Sequence, residues 1–255
     1  MTSATDELKL CTTLEFFTLA SSNNVLAVGM AFQPLNPHES VHVHRERLPH
    51  WRQWGTTYFV TARLADSIPT IAAENWRMKR DAWLRSHHLS SLGELESLPD
   101  AVRQEYHREF TGRFHELLDA GHGACYLSDP FSASLLVEKF IERDGADYHL
   151  DGWAIMPNHF HALVEPIGDA QLGNILQKWK GGSARTINQS LGRMGPLWQR
   201  EFFDHIVRSE AQLDHFRRYI GANPEKAGLS KGYVLGVGVD ASLSKAMIFD
   251  RLNIG

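Results

Sequence analysis

Two strand-like segments in close succession constrain the fold of this chain most. Residues 148–156 and 159–166 are rich in apolar and aromatic side chains, and only Pro157-Asn158 separates them. So short a connection joins antiparallel neighbours, because parallel strands need a crossover of a dozen or more residues. The sequence therefore predicts a largely antiparallel sheet that includes both strands.

The other predicted elements are helices and short strands around this pair. Helical spacing, glycine and proline signals, and β-branched runs predict strands over 56–64 and 202–207 and helices over 71–85, 99–121, 132–143, 172–191 (interrupted at Gly181-Gly182) and 209–223 (ended by Pro224). The order is strand, helices, strand, strand, helix, strand, helix. It predicts an α+β fold with a ferredoxin-like antiparallel sheet, helices on its faces and a helical insertion at about 70–125.

Length and composition set the domain organisation and exclude several classes. The 255 residues divide into an N-terminal extension over 1–46, predicted to be poorly ordered, one domain over 47–230 and a C-terminal tail over 231–255. Cys11 and Cys125 are the only cysteines, which excludes a disulfide framework and a cysteine-based zinc site. The longest apolar run, residues 25–32, is too short to span a membrane. We expect a cytoplasmic protein of bacterial type.

His159-Phe160-His161 is the sharpest chemical feature. Alternate residues of a strand point to the same face, so both imidazoles should project side by side while Phe160 enters the core. Two histidines so placed supply half of a divalent-metal site. The pattern also arises by chance in a chain with 14 histidines. His42-Val43-His44 repeats it in a segment where we predict no strand, and we interpret that copy as unrelated to metal binding.

The last predicted helix carries a tyrosine away from its apolar stripe. His215, Tyr219 and Asn223 recur at intervals of four and share one face, whereas Leu213 and Ile220 face the core. Such a tyrosine is available as a nucleophile or a stacking group. A phenol with a pKa of about 10 needs a base or a metal-polarised phosphate to react. In the alternative interpretation, Tyr219 is an interfacial aromatic and Asn223 simply ends the helix.

Three motifs in this order resemble a known family. They are Met-Pro-Asn-His-Phe-His-Ala-Leu-Val at 156–164, Trp-Gln at 198–199, and Arg-Tyr-Ile-Gly-Ala-Asn-Pro-Glu-Lys-Ala-Gly-Leu at 218–229. Together they resemble the single-tyrosine HUH transposases of the IS200/IS605 type. The segment 47–61 resembles the opening of the REP-associated branch, and the whole resemblance runs from about 47 to 230.

The resemblance implies an HUH-type fold, a site and a reaction. His159, His161 and, as a polar third ligand, Asn223 would hold Mg²⁺ or Mn²⁺, and Tyr219 would be the nucleophile. The implied activity is that of a metal-dependent single-stranded DNA endonuclease and strand transferase. It would cleave structured DNA such as REP-type hairpins through a 5′-phosphotyrosine intermediate. The family usually has Val or Ile between the histidines, and Phe160 keeps that position hydrophobic.

Charge is unevenly distributed, although the net charge is −4. Residues 178–231 include ten basic and five acidic residues. This local excess of positive charge favours a nucleic-acid-binding surface. Tryptophans in this region, among them Trp179, are candidates to stack on unpaired bases. The predicted DNA-binding residues are Lys178, Lys180, Arg185, Trp198, Arg200, Arg217 and Arg218.

Two alternatives to the strand transferase stay open at this stage. One is a hydrolytic metal nuclease, in which Tyr219 only binds DNA and water attacks the phosphate. The other is a non-catalytic or domesticated protein that keeps the fold and binds hairpin DNA. The expected partner in every case is single-stranded or hairpin DNA, with no membrane, and the chain is either a monomer or a homodimer.

Overall fold

One five-stranded antiparallel sheet organises the protein. The computed structural model describes residues 42–45, 49–53 and 55–237, with side chains from 53 onward except at 54, 93, 96 and 237. The elements are β1 (His42–Arg45), β2 (Pro49–Arg52), β3 (Tyr58–Arg63), α1 (Thr70–Ser86), α2 (Asp100–Tyr106), α3 (Arg113–Asp119), α4 (Pro130–Ile141), β4 (Tyr148–Met156), β5 (His159–Pro166), α5 (Leu172–Ser190), β6 (Phe203–Ile206), α6 (Glu210–Lys226) and β7 (Val234–Val237).

The sheet has the order β6-β3-β5-β4-β7 with every neighbouring pair antiparallel. The path from β3 through the helices to β4, β5, α5 and β6 is the ferredoxin-like pattern. The predicted α+β fold with an antiparallel sheet is therefore confirmed. β7 lies in the segment predicted as a C-terminal tail, where it adds an edge strand next to β4.

The two faces of the sheet bury different sets of side chains. Phe160 is fully buried on the face covered by α4 and α5, where its ring packs edge-on to Phe140 and Trp179. Leu163 is three positions after Phe160 and therefore lies on the opposite face, in a cluster with Phe59 and residues of α6. Because side chains alternate along a strand, His159 and His161 share the α6 face, and the predicted burial of Phe160 is confirmed.

Two predicted helix boundaries are wrong. α5 runs through Gly181-Gly182 without interruption. A Cβ on Gly182 would come within 3.0 Å of the Lys139 side chain, so the glycine accommodates close packing against α4 rather than a break. α6 continues through Pro224 to Lys226, because a proline near the end of a helix costs only one backbone hydrogen bond there.

The predicted insertion forms a small helical layer with its own core. Leu84, Leu95, Tyr106 and Phe110 are buried together in it. A π-helical segment, His107–Gly112, joins α2 to α3 into one continuous helical stretch. That segment adds residues to one turn and so changes which side of the stretch α3 presents.

The N-terminal part adds a second, two-stranded sheet. β1 pairs antiparallel with β2, so the prediction that no strand surrounds His42-Val43-His44 is wrong. The charged, proline-bounded composition of this segment did not indicate a strand, but β1 and β2 are close in sequence and pair with each other. The rest of the predicted extension, 1–41, lies outside the described residues. Within the described part of the chain, none of the helices is long and apolar enough to cross a membrane.

Candidate active site

Two histidines of β5 form the centre of the site. Nε2 of His159 lies 3.1 Å from Nε2 of His161, and both side chains are almost completely buried. Ligands at about 2.1 Å that occupy neighbouring corners of an octahedron lie about 3.0 Å apart. The separation between the two nitrogens is that of a hydrogen bond between the rings, and it also matches the spacing of two neighbouring ligands on one divalent ion.

Hydrogen bonds on the far side of each ring orient the pair. Oδ1 of Asn158 lies 2.7 Å from Nδ1 of His159, and the Asn158 amide donates to the carbonyl oxygens of Leu118 and His122. An amide oxygen only accepts, so Nδ1 of His159 carries the proton and its Nε2 has a free lone pair. Thr61 Oγ1 lies 2.8 Å from Nδ1 of His161, and a hydroxyl serves either tautomer. Such outer contacts fix the orientation of metal-binding imidazoles.

Helices α6 and α3 place further polar side chains next to the histidines. Nδ2 of Asn223 donates to Oδ1 of Asp119 at 3.1 Å, and the same carboxylate oxygen lies 3.7 Å from Nε2 of His159. Oδ1 of Asn223 is buried and has no hydrogen-bond partner in the described structure. The polar groups over the histidine pair thus come from two helices far apart in sequence, and one of them is unsatisfied.

Tyr219 packs directly on the histidines. Its ring centroid lies 5.2 Å from that of His161 and 5.5 Å from that of His115 on α3. Its hydroxyl is buried without a hydrogen-bond partner in the described part of the chain. Nζ of Lys226 lies 5.1 Å from the centre of the phenol ring. The tyrosine therefore sits between the histidine pair and a positive charge one helical turn beyond Asn223.

Burial keeps the site uncharged at its histidines. It lowers the pKa of His115 to about 4, and it lowers the pKa of His159 to about 3, with His115 adding to the effect. Burial, together with the other two imidazoles, holds the pKa of His161 well below its usual value. All three rings are neutral near pH 7, so no proton has to leave before they bind a cation.

The phenol and the carboxyl are shifted in the other direction. Burial raises the pKa of Tyr219 above its ordinary value, and the nearby charge of Asp119 raises it further. Burial also raises the pKa of Asp119, although the bond from Asn223 and the charge of Lys226 oppose this. The phenol is therefore protonated at neutral pH and needs added positive charge to become a nucleophile.

The donor chemistry fits a divalent cation. Two neutral imidazoles, an orphaned amide oxygen and a carboxylate make a mixed nitrogen and oxygen set, which suits Mn²⁺ better than the all-oxygen preference of Mg²⁺. Among the described residues, no three His, Cys, Asp or Glu side chains already stand as a metal-binding group. Asp119 is instead hydrogen-bonded to Asn223, the residue predicted as the third ligand.

The structure does not bring the predicted DNA-binding residues together. Lys178, Lys180 and Arg185 are on α5, on the sheet face opposite Tyr219. The ammonium of Lys178 pairs with Asp147, and Nζ of Lys180 donates to the Arg200 carbonyl oxygen. Lys178 is thus directed to Asp147, whereas Lys180 reaches the loop before β6, where its Nζ lies 5.8 Å from the centre of the Phe202 ring.

The basic residues on α6 lie closer to the site. Arg217 donates to both carboxylate oxygens of Asp151 through Nε and Nη2, and its Nη1 pairs with Asp214. Arg218, directly before Tyr219, is exposed, as is Arg200 in the loop before β6. Arg217 is thus engaged within the protein, whereas Arg218 and Arg200 remain accessible to a ligand.

The proposal that Trp179 and Trp198 stack on DNA bases is wrong. Trp179 is 1% exposed and Trp198 is 7% exposed. The indole of Trp198 donates to Ser183 Oγ and packs edge-on to Phe160. Both rings fill the core under α5, where no base reaches them.

Several residues of the site were not predicted from the sequence. His115 and Asp119 come from α3 in the insertion, Thr61 from β3, and Lys226 from the last turn of α6. The spacing of His115 and Asp119 by four on one helical face was visible. Only the packing of α3 over β5 connects these two residues to the histidine motif, and the sequence does not show that packing.

Comparison with known proteins finds one part of the chain similar to a family model. Residues 136–223 match the model "Transposase IS200 like". This range includes both histidines, Tyr219 and, as its last residue, Asn223. The resemblance to the IS200-like transposases that the motifs predicted is confirmed.

Curated relatives agree with this match. A REP-associated tyrosine transposase of Escherichia coli K12 is 26% identical over a region that covers 36% of this chain and 52% of that protein. An uncharacterized protein of Haemophilus influenzae is 27% identical, with 29% of this chain and 53% of that protein covered. The chain spans about half the length of these curated relatives.

One solved structure is also similar. It is a REP-associated tyrosine transposase bound to a REP hairpin, with 16% identity, a TM-score of 0.37, and 70% of this chain and 74% of that chain covered.

Proposed function

We propose that this protein is a metal-dependent single-stranded DNA endonuclease and strand transferase, a proposal supported by the match of residues 136–223 to the IS200-like transposase model. One observation carries the proposal: the Tyr219 ring lies 5.2 Å from His161, whose Nε2 is 3.1 Å from that of His159. A nucleophile of the required type thus stands beside a pair of metal-binding nitrogens. The E. coli relative, a REP-associated tyrosine transposase, supports structured DNA such as REP-type hairpins as the substrate.

The metal site in this proposal uses His159, His161 and Asn223, with Asp119 as an added oxygen donor. Mg²⁺ or Mn²⁺ held by these residues would supply positive charge to offset that on the phosphoryl oxygens. The unsatisfied Oδ1 of Asn223 supports its role as a ligand. Asn158 and Thr61 hold the two rings in place through their Nδ1 atoms.

In the proposed reaction, Oη of Tyr219 attacks a phosphodiester phosphorus. The new O–P bond replaces the bond to the 3′ oxygen, which leaves as a free 3′-hydroxyl after taking a proton. The phenolic proton passes to solvent water, and the leaving 3′ oxygen takes one proton from solvent water, so the step is balanced. The 5′-phosphotyrosine keeps the bond energy, so a 3′-hydroxyl can later attack it and rejoin strands without a nucleotide cofactor.

Lys226 assists the nucleophile in this proposal. Its ammonium lies over the Tyr219 ring, and it is exposed at the end of α6. A cation there attracts the DNA phosphate and stabilises charge that develops on the phenol oxygen.

The test is formation of a covalent adduct with a labelled hairpin oligonucleotide. The full chain is incubated with the DNA and Mn²⁺, and denaturing gels detect a protein band that carries the label. We expect the adduct with the unmodified protein, and none with Tyr219→Phe or with excess chelator. Tyr126→Phe, which removes a hydroxyl outside the site, is the control and keeps the adduct.

The same assay separates the alternatives. Cleavage that persists in Tyr219→Phe with no adduct would identify a hydrolytic metal nuclease. Hairpin binding without cleavage over a broad set of hairpins and both metals would identify a non-catalytic DNA-binding protein. Either outcome refutes the tyrosine mechanism.

A further inference from the structure

A cleft of about 670 Å³ lies between the helical insertion and strand β6. One wall comes from α1 and α3, and the other from the segment 199–208. Its lining includes Thr61 and His115, which both contact His161. The cleft therefore leads from the surface to the candidate active site.

The α1 wall presents cations and an aromatic ring along one helical face. Ala73, Trp76, Arg77 and Arg80 line the cleft and follow the i, i+3, i+4, i+7 spacing of a single helix side. Arg80 stacks over the Trp76 ring at 5.0 Å. The indole Nε1 donates to the Phe110 carbonyl oxygen, so the ring is held in place.

This wall continues inward as alternating cations and rings. The Trp76 centroid lies 5.2 Å from that of Phe114, and the Arg63 guanidinium lies 6.0 Å from the Phe114 ring. Arg63 is half-buried and donates to Ser67 Oγ and a backbone carbonyl oxygen, with no carboxylate partner among the described residues. Burial and the charge of Arg77 lower the pKa of Arg63 to about 10. Two guanidinium groups that repel one another in a cleft favour an anion between them.

The opposite wall offers hydrogen-bond acceptors. Glu201 lines the cleft, and its Oε2 is buried without a partner in the described structure. Asp204 lies on the same wall. A carboxylate at such a position accepts a hydrogen bond from an amino group on a base edge. The cleft thus combines phosphate-binding cations, stacking surfaces and a base-edge acceptor.

We propose that this cleft binds a single-stranded DNA segment that leads to the cleaved phosphodiester. Unpaired bases stack on the Trp76 and Phe114 side, Arg63 and Arg77 bind the backbone phosphates, and Glu201 contacts a base edge. Trp76 and Phe114 are half-buried and line the cleft, and the ring surface that they leave accessible there suits unpaired bases, because paired bases cover one another in the duplex. This inference rests on the proposed function and gives the insertion a role in holding the substrate strand.

The test compares two hairpins with the same stem, one blunt and one with a single-stranded extension. Binding is measured by fluorescence anisotropy over a salt series in chelator, with Tyr219→Phe as the background so that no cleavage occurs. We expect the extension to increase affinity. Adding Arg77→Ala should reduce that increase about tenfold and lower the salt slope by about 0.7, as for one lost phosphate contact on a single strand.

Lys79→Ala is the matched control, since it removes an exposed positive charge from the same helix but outside the cleft lining. It should leave the effect of the extension unchanged. An extension that adds no affinity would overturn the proposal. Equal losses for Arg77→Ala and Lys79→Ala would also overturn it, as would stronger binding of an RNA extension than of DNA.

A second measurement does not depend on variants. Photo-crosslinking with 5-iodouracil in the extension, followed by mass spectrometry, should label peptides that contain Trp76 or Phe114. Crosslinks confined to other regions would refute the assignment. Because neither measurement needs metal or the Tyr219 hydroxyl, a failed adduct assay leaves them valid, and a failed cleft leaves the adduct result valid.

Discussion

Mild acid is expected to destabilise the metal-free protein because three neighbouring histidines are held neutral in the folded state. Burial lowers the pKa of His115 to about 4 and that of His159 to about 3, and it holds the pKa of His161 well below its usual value. In the unfolded chain each ring takes up a proton near pH 6.5. Below that pH the unfolded state binds more protons than the folded state, so the free energy of unfolding falls as the pH falls.

The size of the effect follows from the same linkage. Between about pH 7.5 and about pH 5.5, one histidine that titrates only when unfolded contributes about 1.4 kcal/mol. Three such rings lower the free energy of unfolding by about 4 kcal/mol, a large share of the 5–15 kcal/mol typical of domains. The window stays above the ordinary titration range of carboxyl groups.

Urea unfolding in the presence of a chelator, repeated across this pH window, measures the loss directly. His115→Leu should reduce the loss by about 1.4 kcal/mol, while His215→Leu, at an exposed position of α6, serves as the control and keeps the full loss. A total change below about 1 kcal/mol would show that the histidines are not held neutral. So would an identical pH dependence in His115→Leu and the unmodified protein.

Two further predictions concern the support of the site and the packing of the edge strand. Asn158→Ala removes the hydrogen-bond acceptor that orients His159, and we expect Mn²⁺ binding measured by calorimetry to weaken about ten- to a hundredfold. Asn188→Ala is the control and should leave the Mn²⁺ affinity unchanged. An unchanged affinity in Asn158→Ala would contradict the role of Asn158. Gly236→Ala would place its Cβ against the Trp153 ring, which should lower stability in thermal unfolding by about 1–3 kcal/mol. Gly173→Ala, with open space around its Cβ, should instead stabilise the protein by about 0.5–1 kcal/mol, and equal effects of the two substitutions would refute this packing argument.

The hairpin of β4 and β5 was predictable because its signals are local. Alternation along the strands and the short Pro157-Asn158 connection define the pair, and the same alternation places His159 and His161 on one face. The spacing of four between Tyr219 and Asn223 likewise holds wherever the helix packs. These relations depend on neighbours in sequence, which is why motif and geometry agree.

The predictions that failed concern residues whose role depends on tertiary packing. Glycine favours a break in an isolated helix, but at Gly182 it allows contact with Lys139. Trp198 is as suitable for stacking on DNA as for a core, and only the packing of α5 on β5 determines which. His115 and Asp119 lie about forty residues before the histidine motif, so their contribution to the site depends on a contact that no local pattern encodes.

The π-helical segment His107–Gly112 sets the rotational phase of the helical stretch that covers the site. On its N-terminal side, Tyr106 faces the core of the insertion, and on its C-terminal side, His115 and Asp119 face the histidine pair. One residue more or less in a helix turns everything beyond it by about 100°. Phe110, within the segment, also belongs to that core, so deleting one residue after Phe110 would keep the core residues in place and swing His115 and Asp119 away from the candidate active site. The length of this one turn therefore aligns the helical insertion with the candidate active site.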